Sequence, residues 1–414
     1  MKSILWAALA LFCLAGTAGA QTPPTAEVLH WWTAGGEAKA LRVIADRFQA
    51  EGGRWIDNPV AGGGGDAART VAKTRLVGGK PPTMMQWHLG LSLKQLAEEG
   101  LLGDVDEVAK EGGWDAALPA LIADNARYKG HYVAIPVGIH GENWLWTNPK
   151  VLADAGVSVP KTWAEFDAAA AKLKAAGVIP LALGGQGWQQ VIVFNAVVLG
   201  TQGPGFYRKA LVDLDAKALG GPEMVAVFEQ LARIKGFIDP GATNRDWNEA
   251  TQLVIKGRAA MQLMGDWTKG EFAAAGLQPE KDYGCDASPG AGQAYLVAAD
   301  ALAVPKLSDP AQRRGQLLMA KIAMDPKVQR DFSLAKGSVP ARRDVPADGF
   351  DACSLKAMEK VRNSPDILPA LGSSMGVGAA EAGAITDAVA QFFASSMSPT
   401  QGARTLRDAI DAIR

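Results

Sequence analysis

Near the amino terminus two tryptophans, Trp31 and Trp32, stand side by side, and Glu37 follows shortly after them. An indole covers the apolar C–H face of a sugar ring, while a carboxylate accepts hydrogen bonds from its hydroxyls. The grouping therefore has the chemistry of carbohydrate binding. The chain carries 12 tryptophans against only 5 tyrosines, although core packing remains the alternative for any single one. The segment EVLHWW reads as a strand, so the two indoles point to opposite faces and at most one faces a core. The carboxyl end of such a strand opens on the crevice where α/β proteins bind ligands.

Catalytic groupings are weaker. GSSMG, from Gly372 to Gly376, fits the G-x-S-x-G nucleophile elbow, but that arrangement needs a histidine later in the chain and the last one is His140. The run GGGGD, Gly62 to Asp66, lacks both the Lys-Ser/Thr of a phosphate loop and the spacing of a dinucleotide site. It reads as a flexible turn, with anion binding at a helix start as the alternative. His30, His88, His131 and His140 show no metal-ligand spacing. Carboxylate pairs for glycoside hydrolysis depend on a separation in space, and nothing in the chain singles one out. The expectation is a binding protein, not an enzyme, without cofactor or metal.

The elements that must position these residues alternate. After EVLHWW comes GEAKALRVIADRFQAE, with Ala38, Leu41, Ile44, Ala45 and Phe48 at helical spacing. RWIDNPV is a second strand, and the glycine loop leads into a helix that Asp66 would cap. TMMQW is a third strand, followed by the helical LSLKQLAEEGLL. Strands alternating with helices predict an α/β fold with a parallel sheet covered on both faces. A second unit starts near YVAIPVGIHGENWLWTN, where Gly138 and Gly141 interrupt an apolar run and mark a crossover between lobes. Thr162 with Glu165 predicts a capping box at the start of a helix.

Lys2, the apolar ILWAALALFCLAG and the small residues of TAGA make residues 1–20 a secretory signal peptide, cut before Gln21. Leu11 and Phe12 ahead of Cys13 argue against a lipoprotein. No later run has the roughly 18–20 apolar residues of a membrane span. A near balance of 42 basic and 43 acidic residues leaves no footprint for nucleic acid or an anionic membrane. The length predicts more than one core, hence two lobes. Outside the signal, Cys285 and Cys353 either pair in an oxidising compartment or stay free; sequence does not bring their Cα atoms together.

Over essentially the whole mature chain the sequence resembles the family 1 extracellular solute-binding proteins of ABC importers, and within them periplasmic glucose-binding proteins. The resemblance rests on VLHWWTAGGEAKAL, NPKVLADAGVSVPKTWAEF, DWNEATQLVIKGRAAMQLMGDWTKGEF and FSLAKGSVPARRDV. It implies a two-lobed clamshell with a sheet in each lobe and a multi-strand hinge. Residues 21–138 and 302–345 would form the N-lobe, and 139–301 with 346–414 the C-lobe. It further implies that Trp31, Trp32 and Trp267 stack on or enclose the sugar. Glu37 and Asp300 would accept hydroxyl hydrogens, while His88 and Lys336 would donate. The implied partners are a small neutral sugar, glucose or a related hexose, and an inner-membrane permease that a periplasmic monomer serves.

The chain departs from that group at three places. Val377 aligns where glucose binders often carry a histidine, and Gly138 and Gly141 replace larger polar residues. Each loss removes a hydrogen bond worth about 0.5–1.5 kcal/mol, or makes room for a larger sugar. A carrier of a disaccharide or modified sugar is therefore the first rival. A secreted carbohydrate-active enzyme using Glu37 and Asp300 is the second.

Overall fold

The computed structural model describes residues 22–414, so the signal peptide expected over 1–20 lies outside the described residues. Twelve strands occur in chain order among them: β1 (Thr25–His30), β2 (Arg54–Pro59), β3 (Met84–His88), β4 (Arg127–Tyr128), β5 (His131–Tyr132), β6 (Ala134–Gly141), β7 (Trp144–Thr147), β8 (Ile179–Leu181), β9 (Ala259–Met264), β10 (Gly284–Ala287), β11 (Tyr295–Ala303) and β12 (Ile367–Pro369). The N-lobe sheet has the order β12-β11-β3-β1-β2, with β6 also paired to β11. The C-lobe sheet has the order β10-β7-β9-β8.

The first three strands alternate with helices Gly35–Ala50 and Asp66–Val77, and β1 pairs in parallel with both β2 and β3. The sheets as wholes are mixed, which corrects the expectation of parallel ones. β11 arrives from the other lobe and therefore enters antiparallel to β3 and β6. In the second sheet β7 runs antiparallel to both its neighbours.

β6 and β11 join the two lobes. Every residue of both strands is buried. They pair from Val297 opposite Gly141 to Ala303 opposite Ala134, with an irregularity between Asp300 and Ala301. β6 continues through Glu142 and Asn143 into β7 of the other sheet, and the Asn143 side chain accepts from Leu296 N–H at 2.9 Å. A third segment crosses where Ile139 and Val339 exchange backbone hydrogen bonds of 2.8 Å in each direction. The lobe boundaries read from the sequence at 138/139 and 301/302 fall within these two strands.

One apolar core lies around the N-lobe sheet and continues through the hinge to Trp144 and Trp146. A second fills the C-lobe, where helices Gly187–Leu211, Pro222–Lys235, Ala379–Ala394 and Pro399–Asp411 bury Phe194, Phe228 and Phe392. Thr162 caps helix Trp163–Ala175 through Glu165 N–H as expected, but Glu165 reaches back to Lys161 N–H, one residue before the cap, at 2.7 Å. Asp66 is the first helical residue and pairs with Arg69, leaving Gly65 as the cap in a left-handed conformation. Cys285 of β10 and Cys353 of helix Ala352–Asn363 form a disulfide with Cα atoms 5.9 Å apart, which decides between the two states open to them. No helix among the described residues is long and apolar enough to cross a membrane.

The departures noted at Gly138 and Gly141 have a packing cause. A Cβ on Gly141 would lie 2.0 Å from the Tyr295 hydroxyl, and one on Gly138 2.9 Å from the Ser338 hydroxyl. The space that larger residues would fill is occupied by this chain's own side chains, so neither glycine enlarges the cleft. Val377 likewise is 3% exposed within the C-lobe core and does not line the cleft, which corrects the alignment that put a histidine there.

Candidate functional site

Between the lobes lies a cavity of about 180 Å³. Trp31, Trp32, Glu37, His88, Trp267, Asp300 and Lys336, which are scattered over three hundred positions of sequence, all line it. The chain reaches it from both lobes and from the hinge strands.

The N-lobe wall begins where β1 ends at His30. Trp31 and Trp32 lie just beyond, so the indoles diverge without strict strand alternation. Trp31 is half-buried, its backbone N–H held by the Gln86 side chain at 2.9 Å. Its ring meets His88 edge-on at 5.3 Å and carries the Arg69 guanidinium at 5.3 Å. Trp32 is 1% exposed and turns an edge to Phe332, so it backs the wall more than it faces the cavity. The glycine loop lies flush between two indoles: a Cβ on Gly65 would sit 2.7 Å from the Trp31 ring, and one on Gly64 2.8 Å from Trp188. Both glycines also have positive φ, which a β-carbon disfavours. Close approach therefore accounts for the run, and its turn reading holds.

Glu37 and Lys336 meet at helix ends. Glu37 is in the first turn of helix Gly35–Ala50, and Lys336 is the last residue of helix Pro326–Lys336, which ends at left-handed Gly337. A carboxylate at a helix start and an ammonium at a helix end each oppose the local dipole charge. Lys336 Nζ donates to Glu37 Oε1 at 3.1 Å, with both residues buried. The same ammonium lies 5.7 Å from the Trp267 ring centre.

The floor is a relay of buried charged groups. Asp300 sits at the irregularity of β11, the kind of kink that re-aims a side chain. His140 on β6 approaches Asp300 through Nε2 at 3.1 Å and Asp266 through Nδ1. His88 Nε2 lies 3.4 Å from the other Asp300 oxygen, and Gly141 N–H donates to Asp266 Oδ2 at 2.9 Å. Burial alone would push the His140 imidazolium down, but the carboxylates of Asp266 and Asp300 outweigh it and hold it up at about 9. Burial would likewise raise Asp300, yet the hydrogen bonds from His140 and His88 hold it well below the carboxylate range. For His88 burial wins over Asp300, so its imidazole is neutral near pH 7 and enters as a polar group without charge.

Several lining residues escaped the sequence reading: His140, Glu142, Trp188, Asp246 and Trp247. His140 lies in an apolar run and resembles a core histidine. Trp188, in GGQGWQQ, opens helix Gly187–Leu211 with no periodic partner. It tilts against Trp267 at 6.3 Å and completes the C-lobe side of the cavity. Abundant tryptophan was the only available signal for it. The whole arrangement offers aromatic faces on two sides and charged acceptors and donors below.

The profile of the family described as bacterial extracellular solute-binding protein matches residues 34–312. A probable sugar-binding periplasmic protein of Brucella melitensis is 42% identical over 405 residues, covering 97% of this chain and 95% of its own. A chitin oligosaccharide binding protein superposes with a TM-score of 0.82 at 21% identity, over 94% of this chain and 98% of its own. The bacterial solute receptor AcbH, described as having an exclusive preference for β-D-galactopyranose, gives a TM-score of 0.81 at 17% identity, over 94% and 99%.

Proposed function

The chain belongs to the bacterial extracellular solute-binding proteins, and we propose that it is the periplasmic sugar-binding component of an ABC importer, holding glucose or a related hexose between its lobes. One observation carries the reading: a cavity of about 180 Å³ is walled by Trp31, Trp188 and Trp267 and floored by Glu37, Asp300 and Lys336. Clefts for drug-sized ligands enclose roughly 300–1,000 Å³, so this one suits a single sugar ring better than an oligosaccharide. The indoles would take the C–H faces of the ring, Glu37 and Asp300 would accept from hydroxyls, and Lys336 would donate. His88 would contribute a neutral imidazole.

Export by residues 1–20, with Gln21 as the mature terminus, fits this role. The lobes 21–138 with 302–345 and 139–301 with 346–414 would close about β6, β11 and the 337–345 segment. A monomeric carrier would then present the loaded form to the membrane permease.

Calorimetry of the mature protein against D-glucose, D-galactose, D-mannose, D-xylose, maltose and cellobiose tests the reading. The expected result is one-to-one binding of a hexose, with every sugar recovered unchanged. Tighter binding of a disaccharide would shift the substrate class, and hydrolysis of any of them would replace a carrier with an enzyme. Binding of none would end the sugar reading.

A further inference from the structure

Glu142 lies beside the relay of the cleft floor and takes no part in it. It follows β6 directly, is 4% exposed and lines the cavity. Its backbone N–H is fixed by Leu296 O at 2.9 Å, at the point where the chain passes from one lobe to the other. Its Oε2 is buried and has no hydrogen-bond partner among the described residues. A buried polar atom without a partner is costly, and native proteins keep few of them.

The neighbouring groups cannot supply that partner, because each is already committed. His140, on the same stretch of chain, gives one nitrogen to Asp266 and the other to Asp300. Asp266, from the turn after β9, receives His140 on one oxygen and Gly141 N–H on the other. Asp300, from β11, lies between His140 and His88. Tyr207, from helix Gly187–Leu211, donates its hydroxyl to Pro369 O at 3.1 Å. Gly372 lines the cavity beside Glu142 and carries no side chain; a Cβ there would lie 3.8 Å from Oε2.

Resting on the reading of the cleft as a sugar site, we propose that Glu142 contacts the bound sugar directly, donating its carboxyl proton to a ligand oxygen and so selecting sugars that present an acceptor above the hinge. Burial supports this role, pushing the Glu142 carboxyl up to about 8, so that at neutral pH it is an acid with a proton to donate. The neutral form also avoids repulsion from Asp266 and Asp300. The sugar completes the valence left open at Glu142 Oε2.

The test uses the mature protein and whichever of D-glucose, D-galactose, D-mannose and D-xylose binds it most tightly. Affinity is measured by calorimetry at pH 6.5 and 8.5 for the native chain, Glu142→Gln and Glu142→Ala. The amide keeps the shape and an N–H donor but does not titrate. At pH 6.5 Glu142→Gln should bind within about threefold of the native protein and Glu142→Ala about tenfold more weakly. If only the neutral acid binds, the native protein should weaken about fourfold between the two pH values, given a carboxyl that titrates near 8. Glu142→Gln should lack most of that loss, whereas any contribution from His140 is shared by both. Identical pH profiles for native and Glu142→Gln protein would overturn the proposal, as would full affinity in Glu142→Ala. Should Glu142→Ala fail to fold, the Glu142→Gln profile decides alone. If no hexose binds the native chain, the sugar reading itself falls and this inference with it.

Discussion

The C-lobe core around Phe194, Phe228 and Phe392 and the cleft floor on β6 and β11 are equally sealed from water, yet opposite in chemistry. The first is a set of aromatic edges and faces, with Phe228 and Phe392 4.8 Å apart. The second packs His140, Glu142, Asp266 and Asp300 at 4% exposure or less. Burying apolar surface stabilises a fold by about 25 cal/mol per Å², whereas burying charges seldom does better than an apolar replacement. A floor of ion pairs in the hinge is therefore poorly explained as a stability device. It makes sense as a polar surface pre-oriented for a ligand that brings its own hydroxyls.

Four experiments break or sharpen that contrast. Phe228→Ala, in the apolar core, should have the largest effect, destabilising the protein by about 3–5 kcal/mol. Denaturant unfolding would measure it, and the folded fraction should keep native sugar affinity. An affinity loss without a stability loss would mean the two regions are coupled. Asp300→Asn should instead act on the site, weakening sugar binding by about 3 kcal/mol in calorimetry. The His140 imidazolium, left with one counter-charge, adds a separate cost to stability.

The pH dependence separates the regions further. The folded His140 has its pKa raised from 6.5 to about 9, so its contribution is complete below about 6.5 and is lost as pH rises through 9. Glu142, raised from 4.5 to about 8, acts in the same direction, because the unfolded chain ionises it more readily. His140 alone should therefore cost on the order of 2–3 kcal/mol of stability between pH 6.5 and 9, and Glu142 adds to the fall. Phe228→Ala should lower this curve without changing its shape, and His140→Gln should remove the larger part of its slope. A native curve that is already flat over this range would remove the relay from the stability of the fold.

Val377→His has the smallest expected effect and the most direct bearing on alignment. An imidazole placed in the C-lobe core should cost about 1–3 kcal/mol through overpacking and an unpartnered polar group. Sugar affinity should stay within twofold. Stronger glucose binding would return Val377 to the cleft and undo the correction made from its burial.

Local signals were legible where local physics decides. Helix Gly35–Ala50 follows from the spacing of Leu41, Ile44 and Phe48, which are buried on one side of it. Thr162 marks a helix start because its hydroxyl accepts Glu165 N–H. The resemblance indicated seven residues for the site, and they do converge on one cavity. His140 and Glu142 stayed hidden because a histidine or glutamate inside IPVGIHGENW has the same local signature whether it is satisfied or poised. Val377 went astray because a loop of small residues carries little register information.

The amino-acid sequence by itself determined the alternation of strand and helix, the caps, the wealth of indole and the balance of charge, since these depend on neighbours a few residues apart. Only the tertiary structure decided which tryptophans face the cleft, that the sheets are mixed, that Cys285 meets Cys353, and that Asp300 stands between two histidines. Each of these is set by segments that approach from far along the chain. The work a buried charge does depends on its partners and on the water they exclude, and neither is written in its immediate neighbours.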